Sequence, residues 1–466
     1  MFTKRFLFIL AGLTVLFQLS CYFGRPRVFY FDGHIHTTHS DGSGSIADVK
    51  EAAIARGLNA VFVTNHAKQI VDMNEWNDIV DTCEALSDRD LMMIPSFEIT
   101  GSESLLCRDH MLAWGVKNPF VGNAADALVP EEIWVSPKNP FGTGPMYPAS
   151  FRQWSDWIHE QKGIAVHNHT TGTTQLDYNV DFIEVINMSH IKDIADFARQ
   201  LGLGADDAWN MGLLLNSFSV YGDKYLQMPV SLPYNGGTMQ LSLQQALYQG
   251  VGQWLGPNTP QGLLDKGATP SVPLNSWDNL LMAFINGEID HPIYCVGNSD
   301  SHNTANTVIG SADYDDSDVG EVKNGVYLTH HNKAHFFDAV RRGNLFTTTG
   351  PSIYFEIEGT IMGETLRINT KRKKSVRMKL YVNSESASAV LVAVSIVKNG
   401  EVIHAVQPMA STYMVELDND ATGDCYYRVE VTSMESSDGK PRFAYANPVF
   451  IDRTGKLTGS CHGKRL

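Results

Sequence analysis

The chain has 466 residues, 43% hydrophobic and 19% charged, which excludes wholesale disorder and supplies apolar material for a sizeable core. That length points to two domains rather than one or four. Lys and Arg number 36 against 51 Asp and Glu, so the net charge is −15. This excludes a dedicated nucleic-acid binder, which needs a basic footprint to displace counterions, but leaves open a small phosphorylated substrate held by bound cations.

In chain order, Met1–Cys21 reads as an export segment. Lys4 and Arg5 form a positive start, and Phe6–Leu19 is an apolar run of about 14 residues, short for a membrane span and right for a signal sequence. The run ends in Leu19-Ser20-Cys21, which resembles a bacterial lipoprotein signal with Cys21 lipidated, although Gln18 stands where an aliphatic residue is usual. A cleaved signal peptide and an uncleaved anchor are the other two readings. All three imply an exported protein, periplasmic or at the cell surface, touching the membrane only through this segment. The six cysteines (Cys21, Cys83, Cys107, Cys295, Cys425 and Cys461) show no CxxC spacing, which argues against a zinc ribbon. They are expected to be buried thiols, with room for one bridge.

From Val28 to about Asn298, short apolar runs alternate with helical segments. The runs are Val28–Phe31, Ala60–Thr64, Leu91–Ser96, Met111–Gly115, Ile164–Val166, Phe182–Ile186 and Ile293–Gly297, apolar on both sides as buried parallel strands are. Ser45 with Asp48 caps a helix carrying Ile46, Val49 and Ala53 on one stripe and ended by Gly57. Asn74–Leu86 and Phe151–Lys162 are further helices. The alternation predicts an α/β barrel of parallel strands. Asn118–Pro148 reads as a long loop. An insertion over about 202–290, with a helical candidate at Met239–Leu255, is expected to cover one barrel face. Residues 326–350 read as a connecting helix (His335–Arg342) and linker. Alternating segments at Ser352–Ile357, Val376–Val382, Ala389–Val397, Tyr413–Glu416 and Tyr426–Val431, with a turn at Asn399-Gly400, predict a small β-sandwich over 351–452. A polar tail, 453–466, follows. Lys371-Arg372-Lys373-Lys374 reads as a solvated turn.

Histidines and carboxylates gather at the ends of the apolar runs. His34 and His36 follow the first run two residues apart, so both rings can reach one ion. Asp41 lies just beyond. His66 ends the second run, Glu98 the third and His167 the fifth; His110 opens the fourth; Asp300 and His302 follow the last. In a parallel barrel the C-terminal strand ends share one rim, so these distant residues converge. A lone histidine at a strand end is usually a hydrogen-bonded core residue; it is the joint pattern that predicts a metal centre.

These residues resemble the PHP (polymerase and histidinol phosphatase) family of metal-dependent hydrolases. The blocks are His34-x-His36, Thr64-Asn65-His66, His167 and Asp300-x-His302, with Asp41, Glu98 and His110 between them, over about Val28–Thr349. Arg342-Gly343 through Gly350-Pro351, followed by a β-rich domain, is similar to the exported branch with carbaryl-hydrolase-like members. The resemblance implies a distorted (β/α)7 barrel over 28–325 and nine ligands for two to three divalent ions of Zn, Mn or Fe. One ion would take His34, His36, Glu98 and Asp300, a second Glu98, His110 and His167, and a third Asp41, His66 and His302. Asn65 stands where the family usually has Asp, which removes a negative supporting group.

The expected function is hydrolysis of a small or extracellular phosphate ester by a metal-bridging hydroxide, with Asp300, His302 and Glu98 as the catalytic residues. Arg108, Lys68 and His169 are candidate substrate contacts; His39 is a spare ligand. A carboxyl or carbamate ester hydrolase with the same centre is the alternative, for which Trp114, Trp209 and Trp254 offer apolar surface. A surface binding protein with a structural metal site is the third reading. The ligand expected is a small-molecule ester, with no nucleic-acid partner.

Overall fold

The computed structural model describes residues 27–70, 72–104, 107–117, 151–170, 174–200, 204–216, 220, 229–234, 237–242, 276–303, 317–328, 330, 332–368, 374–386, 388–437 and 439–457. The expected export segment, the expected loop at 118–148, Lys371–Lys373 and residues 458–466 lie outside them. No helix among the described residues is long and apolar enough to cross a membrane.

All seven apolar runs become strands of one sheet. They are β1 (Arg27–Ile35), β2 (Ala60–His66), β3 (Met92–Ser104), β4 (Cys107–Trp114), β5 (Ile164–Asn168), β6 (Phe182–Asn187) and, after a separate hairpin of β7 (Pro229–Tyr234) and β8 (Gly237–Ser242), β9 (Tyr294–Asn298). Every residue of β2, β5, β6 and β9 is buried, because the strands are covered on both faces.

Two features depart from a parallel barrel. β1–β2, β2–β3, β5–β6 and β6–β9 are parallel, but β4 runs antiparallel to both β3 and β5. Only two residues separate β3 from β4, too few for a crossover, so the chain must fold straight back. The ladder path is also open. β9 returns to β1 through a single parallel bridge, Ile35 with Ser301, reinforced by His36 N donating to Ser301 O at 2.8 Å.

The helices follow local signals. α1 (Ile46–Ala55) starts at a capping box of Ser45 and Asp48 and buries Ile46, Val49 and Ala53. α2 (Met73–Leu86), α3 (Phe151–Glu160), α4 (Met188–Gln200) and α5 (Ala205–Asn216) follow. The expected helix at Met239–Leu255 is corrected at its start, where Met239–Ser242 is strand β8; the remainder lies outside the described residues. The expected insertion also ends sooner than residue 290. Helix α6 (Trp277–Asn286), capped by Ser276, buries Trp277, Leu280, Leu281 and Phe284 in the main core and leads into β9.

Residues 326–350 are not a linker. They carry the second half of β10 (Lys323–Leu328), helix α7 (Lys333–Arg341) and β11 (Leu345–Thr348). β10 pairs antiparallel with β1, β11 with β10, and β20 (Pro441–Asp452) with β11. The sheet thus runs unbroken from β1–β6 and β9 into the C-terminal region, through β20 to β19 (Cys425–Met434), β16 (Val390–Lys398) and β17 (Glu401–Val406). A second sheet holds β13 (Thr360–Ile361), β12 (Ser352–Ile357), β15 (Ser375–Asn383) and β18 (Thr412–Asp420), while β14 (Thr365–Arg367) lies parallel on β20. Alternate residues of β15 point inward, and Val376, Met378, Leu380 and Val382 share a core with Leu391, Val394 and Ile396 of β16. Asn399 and Gly400 both adopt positive φ, 50° and 81°, as a two-residue turn between β16 and β17 requires.

Candidate metal centre

The site begins at the end of β1. His34 and His36 lie on one side of the strand, their Nε2 atoms 3.1 Å apart. Gly33 lets Trp114 pack against β1: a Cβ there would sit 2.3 Å from the Trp114 ring, whose Nε1 donates to Gly33 O at 2.9 Å. Asp32, fully buried, accepts from Ser299 N at 3.2 Å and Gly320 N at 2.8 Å, tying β1 to the segment that carries Asp300. Burial pushes the Asp32 carboxyl up to about 6 against these donors.

Four atoms form the centre of the cluster: His34 Nε2, His36 Nε2, Glu98 Oε2 and Asp300 Oδ1. His34 lies 3.1 Å from His36, 3.1 Å from Asp300 and 3.5 Å from Glu98; His36 lies 3.3 Å from both acids. Donors held about 2.0–2.1 Å from a tetrahedral ion stand about 3.3 Å from one another. Five edges of the quartet therefore have the size such an ion sets.

Two further groups adjoin it. Asp41 meets His36 Nδ1 at 3.2 Å, His66 Nε2 at 3.2 Å and His302 Nε2 at 3.5 Å. Asp41 and His302 are partly exposed and form the mouth of the site. On the inner side, Glu98 Oε1 meets His110 Nδ1 at 2.7 Å and His169 Nε2 at 3.9 Å, and His169 Nε2 meets Asp300 Oδ2 at 2.9 Å. Glu98 thus presents one oxygen to the quartet and the other to the inner group.

Eight of the nine anticipated ligand residues are brought together, with His169 as the ninth member. His167 is the correction. Pairing of β4 with β5 sets His110 opposite Asn168 and Met111 opposite His167, so alternation turns His167 away from the face that carries His110. Its Nδ1 instead meets Thr174 Oγ1 at 2.8 Å, and its ring packs against Phe151 and Tyr178. His169 breaks the alternation: its φ is +56°, just past the strand, and this turns it into the cluster. Asp300 has the same left-handed backbone, φ +54°, just past β9. Such conformations cost about 1–3 kcal/mol outside glycine and collect at functional sites. The signal for His169 was present, since His167-Asn168-His169 repeats the His-x-His of β1.

Other anticipated residues resolve as follows. Asn65 Oδ1 accepts from Thr37 N at 2.8 Å, Thr37 Oγ1 at 3.0 Å and Ser40 Oγ at 2.9 Å, so it staples the loop that carries Asp41. His39 pairs with Glu75 at 3.4 Å and is absent from the cluster. The side chains of Arg108 and Lys68 lie outside the described residues. Trp114 is core, stacked on Phe62 with centroids 4.5 Å apart, rather than pocket lining. Cys83, Cys295 and Cys425 are buried free thiols. Sequence reading passed over Glu184, Asn187 and Asn298, the buried polar residues behind His34; a lone Glu inside the two-sided apolar run Phe182–Ile186 was the available sign.

The donor set suits divalent cations. Glu98 Oε2, His110 Nε2 and Asp300 Oδ1 are buried with no hydrogen-bond partner, and the donors are imidazole nitrogens and carboxylate oxygens without a thiolate. Burial opposes ionisation of Glu98 and Asp300, yet the surrounding imidazoles hold both carboxyls well below the usual range. Burial likewise opposes charge on His34, but Asp300 and Glu98 push its ring up to about 10. His110 is pushed down to about 4 by burial, against the pull of Glu98, and His302 to about 4 by burial and the neighbouring His36. Ionised acids and neutral imidazoles are the states ligation needs, and a cation would displace protons from His34 and His36.

No family model and no curated protein matches this sequence. Among solved structures, the chain is similar to a two-domain protein from Bacteroides vulgatus described as containing a predicted PHP-like metal-dependent phosphoesterase, at 14% identity over 91% of this chain and 95% of that one, with a TM-score of 0.35. It is also similar to an amidohydrolase from Chromobacterium violaceum, at 16% identity over 36% of this chain and 81% of that one, with a TM-score of 0.24. Likenesses this distant add no weight to the assignment, which rests on the geometry of the cluster.

Proposed function

We propose that the chain is a PHP-type metal-dependent hydrolase acting on a small phosphate ester. The observation that carries the reading is the quartet of His34, His36, Glu98 and Asp300, five of whose edges, those that include a histidine, are 3.1–3.5 Å, the size one cation sets. His110 and His169 with Glu98 would hold a second ion, and Asp41, His66 and His302 a third. Such ions would polarise a phosphoryl oxygen and lower the pKa of water. Asp300 is the residue set to take a proton from the attacking water. Its Oδ1 faces the quartet, 3.1 Å from His34 Nε2 and 3.3 Å from His36 Nε2, while Oδ2 is held by Asn187 Nδ2 at 3.2 Å and His169 at 2.9 Å. Glu98 keeps His66 and His110 aimed inward, and His302 stands at the mouth where substrate enters. The carboxyl-ester reading loses one of its supports, because Trp114 lies in the core. Export through Met1–Cys21 completes the proposal and suits an extracellular substrate.

The test is a metal count on protein purified without chelator, followed by phosphomonoester, phosphodiester and carboxyl-ester substrates. Bound Zn, Mn or Fe with turnover of a phosphate ester is expected. Turnover of carboxyl esters alone would move the assignment to the alternative hydrolase. A fully metallated protein inert to all three would make it a binding protein.

A further inference from the structure

We infer that Glu184 is the positioning residue of the metal centre, fixing which nitrogen His34 offers and holding His169 in the inner group. The inference rests on the metal-centre reading above. Glu184 lies on β6, 1% exposed, and is no member of the clustered donor groups. Its Oε1 meets His34 Nδ1 at 3.3 Å and accepts from Asn298 Nδ2 at 2.8 Å. Its Oε2 accepts from Asn187 Nδ2 at 2.7 Å and His169 N at 3.2 Å. The Asn298 and Asn187 amides leave the carboxylate one orientation.

Two consequences follow. A carboxylate beside Nδ1 places the imidazole proton there, so the lone pair of His34 lies on Nε2, the atom that faces the quartet. The bond from His169 N secures a backbone held at φ +56°, where a non-glycine residue needs outside support. One side chain from β6 thereby sets a donor on β1 and a donor past β5.

The experiment compares zinc affinity of wild type and Glu184→Gln by competition with a chelator, with far-UV circular dichroism as the check on folding. A fall of about 10–100-fold is expected for loss of a supporting carboxylate. A folded variant with wild-type affinity would overturn the inference. A second measurement needs no variant: a long-range 1H–15N spectrum of zinc-loaded wild type should show His34 protonated at Nδ1 and ligating through Nε2. Ligation through Nδ1 would overturn the inference even if the variant fails to fold. Failure of wild type to bind zinc, manganese or iron at all would instead remove the metal-centre reading beneath it.

Discussion

Two parts of this molecule bury charge, and they do so in opposite ways. Where α6 meets β19, Arg428 is 1% exposed and grips Asp278 with two bonds, Nε to Oδ1 at 2.7 Å and Nη2 to Oδ2 at 2.8 Å. Tyr426 OH donates to the same Asp278 at 2.6 Å, Glu430 takes another guanidinium nitrogen, and the Trp277 ring lies 5.0 Å beneath. Donors and acceptors are matched within the chain. Around the end of β1, the middle of β3 and the residues just past β9, by contrast, imidazoles and carboxylates aim lone pairs at a shared point, and the chain supplies no lysine or arginine to that cluster among the described residues. Burial of charge is therefore no sign of function by itself. The sign is an incomplete set whose missing member has the size and charge of a cation.

Substitutions in the two clusters should separate them. The largest effect is expected for His36→Ala, which removes a corner of the quartet. Ion content and turnover should both be nearly lost, a greater fall than the about 10–100-fold expected for a supporting group. Elemental analysis and a kinetic assay check this, and retained turnover with fewer ions would place the chemistry elsewhere. Asp278→Asn should do the reverse. It leaves buried Arg428 to Glu430 without its bidentate carboxylate, at a cost of at most about 3–5 kcal/mol in urea unfolding, while ion content stays at the wild-type level. A smaller effect belongs to a half-buried pair outside both clusters, His159 Nε2 with Asp181 at 2.8 Å. Burial opposes charge on His159, but Asp181 raises its pKa overall. Its contribution is full below the unfolded value of about 6.5 and is lost as pH rises through the higher folded value. The stability gap between wild type and His159→Gln should therefore be within about 1 kcal/mol at about pH 6 and close by about pH 9. A gap independent of pH would assign the effect to packing.

Much of the architecture was legible because it follows local rules. Ser45 and Asp48 announce a capping box, Asn399-Gly400 a tight turn, and two-sided apolar runs announce covered strands. What escaped depends on pairing between distant segments. The direction of β4 follows from a two-residue connection that the run pattern does not display. β10 and β11 looked like linker because their sheet partners, β1 and β20, lie far off in sequence. β20 itself carries two prolines, Pro441 and Pro448, which disguise it. At the site, the His-x-His pair and the acids were visible as residue types. The exchange of His167 for His169 was not, because β5 runs on to Asn168, and a strand two residues longer than its apolar run changes which histidine lies beyond its end.

The most direct test is an anomalous-difference map from crystals of the protein grown with zinc or manganese. A peak within bonding distance of His34 Nε2, His36 Nε2, Glu98 and Asp300 is the predicted result, with any inner peak touching His169 and leaving His167 against Thr174. Ions bound only away from this quartet, or an inner ion held by His167, would contradict it.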